Sequence, residues 1–310
     1  MLNLVQNENM KIYRRPRTWI MYAILAALTI LVSVIFYNVS NNDTDWRTSL
    51  QNDITANERA LEEAMPDSVK QEIQEEVEIA KYQLEHGIAP IDDTLWGGVR
   101  NMSALISLIT IFTVIIAADA VAAEFTWGTI KLLLIRPVNR TKILLSKFFS
   151  SFLFALMMLV FLFVISFIVN GFLYGFGGAD TNIVTMNTSG TIEEGSVIAY
   201  VLKYYAYSLG SLVMIVTLSF LISSVFRSSS LAIGISMFIY FAGTSIAVFL
   251  SRYEWSKFFL FSNMDLTQYL YGEPLVEGMT LGFSLLVLLG YFILFNAISW
   301  YVFKKRDVAA

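Results

Sequence analysis

Six long runs without one charged side chain constrain this chain more than any other feature: 18–38, 102–118, 148–172, 204–225, 231–250 and 281–303. The first covers 21 residues, or roughly 31 Å of helix, enough to cross the hydrocarbon core of a bilayer. A signal-peptide apolar region is only about 7–15 residues long, so this run reads as a span rather than a cleaved leader. Only 15% of the residues are charged, against about 25% in soluble domains. The expected fold class is therefore an all-α polytopic membrane protein with six transmembrane helices, at 18–38, 98–118, 148–173, 199–226, 231–250 and 281–303.

Charge gives these helices a direction. With both termini placed in the cytoplasm, the inner segments (1–17, 119–147, 227–230 and 304–310) hold 13 bases and four acids. The outer segments (39–97, 174–198 and 251–280, with Arg100 and Lys203 at span ends) hold eight bases and 21 acids. An excess of Lys and Arg inside is the arrangement that membrane insertion favours.

The polar segments are unequal. Residues 1–17 carry Lys11, Arg14, Arg15 and Arg17, with Leu2, Val5, Met10 and Tyr13 spaced for a surface helix; a disordered basic tail is the alternative. In 39–97, Trp46, Leu50, Ile54, Asn57 and Leu61 form one helical stripe, and Val69, Ile73, Val77, Ala80 and Leu84 a second. Pro66 separates them, Ser68 and Gln71 resemble a capping box, and Gly87 after His86 marks a stop. The expectation is an extracellular helical hairpin, with a solvated spacer as the alternative. Residues 174–198 read as a short Gly-, Thr- and Asn-rich loop. In 251–280, aromatics alternate with charges, and Asn263 or Asp265 can cap a short helix, which fits re-entrant or interfacial helices before the last span. Small residues such as Gly210, Ser223, Ala232, Ser236 and Gly243 allow close helix packing.

Much chemistry is missing. The chain has no cysteine and one histidine, so thiolate and histidine-cluster metal sites drop out. No charged side chain lies within the apolar runs to carry a proton, and Asn170 and Asn296 read as interhelical hydrogen-bonding groups. Glu193–Glu194 reads as a solvated acidic patch. The sequence contains no P-loop, no H-E-x-x-H and no G-x-S-x-G. We expect no enzyme activity, cofactor or nucleic-acid partner for the chain itself; energy for uphill transport has to come from another polypeptide.

The loop 119–147 sets five bases against Asp119 and Glu124, yet Phe125, Trp127, Ile130 and 132–135 give it an apolar surface that needs a partner. Gly128 permits a break after Glu124, which can accept hydrogen bonds at the bend, and Thr129 can cap a new short helix. Ile130, Leu133 and Leu134 share one face of it, and Pro137 ends it. Arg136, Arg140 and Lys142 are placed to meet headgroups or acids of a partner.

The run from Glu124 to Arg140 resembles the segment after the second span in ABC-2-type transporter permeases. The basic start through Arg17, the six spans and the Asp265-containing segment are similar too, while the hairpin at 39–97 is longer than the family pattern. The resemblance implies a transmembrane permease subunit in a dimer of identical or paired copies, sitting on cytoplasmic ATPase subunits that bind ATP and Mg. It also implies a coupling helix at 119–147, with Glu124, Trp127, Gly128, Thr129, Ile130, Leu133, Leu134, Arg136, Pro137 and Arg140 engaging the ATPase. The expectation is export of an amphipathic or hydrophobic substrate, a peptide antibiotic or lipid-like molecule, across a Gram-positive-like plasma membrane. The rivals are a sensor or immunity scaffold that binds cationic peptides through the external hairpin, and a secondary transporter.

Overall fold

The computed structural model describes residues 1–40, 45–63, 67–130, 138–178, 181–186, 190–270 and 274–305. Helix α1 (Leu2–Tyr13) stops at Arg14, and α2 (Pro16–Ser40) begins on a proline, whose fixed φ suits a first helical turn. Two side chains of α2 pin the elbow between them. Thr18 Oγ1 donates to Ile12 O at 2.6 Å, and Trp19 Nε1 donates to Tyr13 O at 2.8 Å.

Two polar helices follow, α3 (Trp46–Leu61) and α4 (Asp67–His86). Their stripes meet: Leu50, Ile54, Val77 and Ala80 form a small core of their own, flanked by Trp46, Ile73 and Leu84. Lys81 reaches Glu58 at 2.7 Å across the pair. The Ser68–Gln71 capping box lies outside the described side chains.

The second span starts earlier and ends later than the apolar run. Thr94 caps α5 (Leu95–Asn101) by accepting from Gly97 N at 3.1 Å, a 3-10 turn covers Met102–Leu105, and α6 runs Ile106–Thr126. The third, α7 (Arg140–Tyr174), is likewise longer than 148–173. Asn139 caps it by accepting from Thr141 N at 2.9 Å, so Arg140, Lys142 and Lys147 sit on helix rather than in a loop. Helix hydrogen bonding does not end where apolar sequence does; it ends where a cap stops it. Helices α8 (Val197–Val225), α9 (Ser229–Leu250) and α11 (Leu281–Lys305) complete six helices long and apolar enough to cross a membrane, among the described residues. The protein is a predominantly helical, multi-pass membrane protein.

Residues 174–198 do not form a simple loop. Strands β1 (Asn182–Met186) and β2 (Ile192–Ser196) pair antiparallel, with Ile183, Val184 and Met186 buried. Glu194, exposed as the sequence suggested, accepts from Tyr82 at 3.0 Å and from Asn182 at 3.2 Å and so ties the hairpin to α4.

The spans α6 and α8 form the centre of the bundle, while α2, α9 and α11 present Ile20, Ile35, Phe238, Phe249, Leu286 and Ile293 outward. Apolar association gains little inside lipid, so close fit has to do the work. A methyl added at Gly98 would meet the Asn170 side chain, one at Gly210 would meet Leu266, and one at Gly243 the Phe261 ring. Asn170 is buried and donates to Ser33 Oγ at 3.3 Å and Ser166 O at 2.8 Å, linking α7 to α2. Asn296, by contrast, donates to Phe292 O of its own helix.

The segment before α11 is broken into a 3-10 turn (Glu254–Phe258), α10 (Leu260–Met264) and another 3-10 turn (Leu266–Leu270). Asn263 is fully buried there, donating to Lys257 O and Phe259 O and accepting from Ser284 Oγ of α11 at 2.7 Å. Asp265 accepts from Thr267 N at 2.9 Å and so caps the last turn.

Candidate functional site

The basic ends of the spans converge. Helix α1, the start of α2, the end of α6 and the start of α7 surround a cleft lined by Glu8, Lys11, Arg15, Arg17, Asp119, Glu124 and Lys147. Its order comes from two ionic groupings that share α6.

In the first, acids and bases alternate around a closed ring. Lys147 of α7 donates to Glu124 of α6 at 2.7 Å and to Glu8 of α1 at 2.9 Å. Lys11 closes the circuit, 2.7 Å from Glu8 and 3.2 Å from Glu124. The Lys147 side chain is only 3% exposed, so its ammonium depends on these carboxylates in place of water. Burial works against the Lys11 ammonium, but Glu8 and Glu124 outweigh it and hold its pKa above the ordinary lysine value.

In the second, Asp119, about one and a half helical turns before Glu124, accepts from Arg15 at 2.8 Å, from Arg17 and from Ser229 Oγ at the start of α9. The same α9 terminus is held again by Thr126, whose Oγ1 accepts from Ser229 N at 3.0 Å. Deeper in, Ser223 Oγ of α8 accepts from both Val121 N and Ala122 N of α6 at 3.0 Å. Together, these bonds fix the end of α6 to α1, α7, α8 and α9.

Beyond that anchored end the chain turns sharply. Helix α6 stops at Thr126, and Gly128 has φ +69°, a left-handed conformation that only glycine adopts freely. Trp127 is 57% exposed, with the Arg15 guanidinium stacked 4.3 Å from its ring centroid. Thr129 does not face away from α6: its Oγ1 donates back to Glu124 Oε2. Ile130 is buried. Arg140 starts α7 and donates to Lys304 O at the end of α11 at 3.2 Å. Thus Glu124, Trp127, Gly128, Thr129 and Ile130 are gathered at one turn, whereas Leu133, Leu134, Arg136 and Pro137 lie outside the described residues.

Sequence reasoning missed Glu8, Lys11, Arg15, Arg17, Asp119, Lys147 and Ser229 as members of one site. A signal was present: Glu8, Asp119 and Glu124 are isolated acids within strongly basic segments next to apolar runs, where each needs a counter-ion. Among the described residues, no group of three or more His, Cys, Asp or Glu is placed to hold a metal ion.

Fold and site together define a six-span helical membrane protein whose N-terminal helix is bonded to the ends of its spans. Residues 68–309 match the family described as "Protein of unknown function (DUF2705)", and the chain belongs to that family. It is similar to the "Uncharacterized protein YhcI" of Bacillus subtilis (strain 168), with 38% identity over 316 residues and the full length of both chains. It is also similar to the "Uncharacterized membrane protein YdbK" of the same organism, with 32% identity over 223 residues, 71% of this chain and 86% of the relative.

Proposed function

We propose that this chain is the transmembrane permease subunit of an ABC exporter, driven by ATP hydrolysis in separate cytoplasmic ATPase subunits. The observation that carries the reading is the turn at Gly128. It leaves a bundle-anchored helix end, exposes Trp127 and opens the segment that resembles the coupling region of ABC-2 permeases. The basic end of the bundle would face the cytoplasm, in agreement with the charge distribution. Two copies, or this chain and a paralogue, would assemble in the plasma membrane, with the exposed faces of α2, α9 and α11 meeting lipid or the second copy.

Partner closure on ATP would displace the turn, and the anchored end of α6 would pass that displacement to the bundle, shifting it between two packings. The apolar, aromatic spans favour an amphipathic or hydrophobic cargo over an inorganic ion. The test is isolation of the tagged full chain from its native membrane in mild detergent, with assay of bound ATPase. An ATPase subunit should co-purify, and Trp127→Asp should reduce its retention at least tenfold. Absence of any ATPase, or retention unchanged by Trp127→Asp, overturns the reading.

A further inference from the structure

The ionic ring is built at odds with a loosely resting surface helix. A helix lying on a bilayer needs its bases outside, toward headgroups, and its acids away from them. Here, α1 turns Glu8 inward to within 2.9 Å of a lysine that is 3% exposed, and Ser150 Oγ of α7 donates to Val5 O of α1 at 3.1 Å. The apolar side chains Leu2 and Met10 remain on its outer side, 85% and 44% exposed.

Consider each member's electrostatic need. Lys147 faces Glu8 of α1 and Glu124 of α6. Glu124 in turn faces Lys147, Lys11 and the Thr129 hydroxyl of the turn. Arg15, on the same elbow, pairs with Asp119 of α6 and stacks on Trp127. Lifting α1 away therefore removes Glu8 and Lys11 from the ring together and takes the arginine off Trp127. The contacts that join α1 to the turn run through Glu124 and Arg15, and both meet it beside Gly128.

We propose that Glu8 and Lys147 are positioning residues for the Gly128 turn: through Glu124 they hold α1, the end of α6 and the start of α7 as one body, so that the turn moves only together with the N-terminal helix. Under the function proposed above, α1 becomes a second arm of the lever on which the ATPase acts; the latch rests on that reading only for the identity of what pushes. Glu124 then serves the inside of the lever rather than the surface a partner touches.

The absence of native cysteine provides a direct test. Ser150, 1% exposed beneath α1, and Ile130, 6% exposed after the turn, are replaced singly in the full-length chain as Ser150→Cys and Ile130→Cys. Maleimide labelling is then followed in detergent or nanodiscs. In the otherwise unchanged chain both positions should label slowly. Glu8→Gln should speed labelling about tenfold at both, because Lys147 loses one of its two carboxylates. Adding Lys147→Met to Glu8→Gln removes the surplus positive charge and leaves the Lys11–Glu124 pair, so labelling should return to within about threefold of the starting rate.

That recovery separates charge positioning from a general structural role, since a merely structural loss would add to the first. Acceleration at position 150 alone, no acceleration at either position, or a double variant faster than Glu8→Gln would each overturn the proposal. Should Glu8→Gln fail to fold, Lys11→Met with and without Glu124→Gln reads the same coupling from the opposite pair of the ring. Labelling requires no ATPase, so the latch can stand where the exporter reading falls, and the converse.

Discussion

Lys147 and Glu124 meet at 2.7 Å although they belong to different spans and are buried beneath a third helix. Neither can be removed quietly. A buried ion pair broken on one side leaves an uncompensated charge, at a cost of about 3–5 kcal/mol. Lys147→Ala should therefore lower the protein's resistance to thermal unfolding strongly. Replacing both residues with apolar side chains of similar size should cost much less. Unfolding of the four proteins in one detergent, analysed as a double-mutant cycle, gives the coupling directly.

Gly128 and Gly243 offer a contrast in what glycine does. An added Cβ at Gly128 meets nothing within 4 Å, so Gly128→Ala is resisted only by the left-handed backbone, about 1–2 kcal/mol. Gly128→Asn should be milder, because asparagine tolerates that conformation. At Gly243 the backbone is ordinary and the Phe261 ring fills the space, so Gly243→Ala should cost about 1–3 kcal/mol through overpacking. Gly243→Asn should then be worse than Gly243→Ala, the reverse of the order at Gly128. Denaturant midpoints of the four variants decide the matter.

The alkaline limb of stability should report on Lys11. Its folded pKa lies above the ordinary lysine value of 10.5, so the folded state holds that proton more tightly than the unfolded state does. The stabilisation is complete below about pH 10.5 and is lost as pH rises through the folded value. The stability difference between the wild-type chain and Lys11→Met should thus be flat from about pH 7 to 9 and shrink above about pH 10.5. A difference that instead falls between about pH 7 and 9 would count against the ring.

The α3–α4 pair should fail separately. Its core of Leu50, Ile54, Val77 and Ala80 is distinct from that of the bundle. Ile54→Asp should melt the two helices, seen as rapid hydrogen exchange across 46–61, and leave exchange in α6 and α8 unchanged. Sites this far apart without shared partners behave additively.

The spans were legible because lipid accepts few backbone solutions, and a helix crossing it has to be apolar for its whole length. The stripes of α3 and α4 were legible for a related reason: Leu50 and Ile54 repeat at helical spacing, as do Ile73, Val77 and Ala80. Helices run past the apolar runs to Arg140 and Thr126, since caps and counter-ions, rather than hydropathy, set helix ends. The β-hairpin was hidden because its buried residues Ile183 and Val184 are adjacent, without the alternation that marks a strand. The turn at Gly128 could be anticipated from glycine and its neighbours. The need for counter-ions could be read too, but not which base each acid meets, because Glu8 and Lys147 are 139 positions apart and meet only once α1 folds back on α7.

Asn263 gives the other end of the bundle a different mechanical character. Its amide ties two carbonyls of the broken segment while its oxygen receives Ser284 of α11. Pulling α11 away from α10 strands a buried acceptor at the first small displacement. Resistance is thus concentrated at the onset of motion and falls away afterwards.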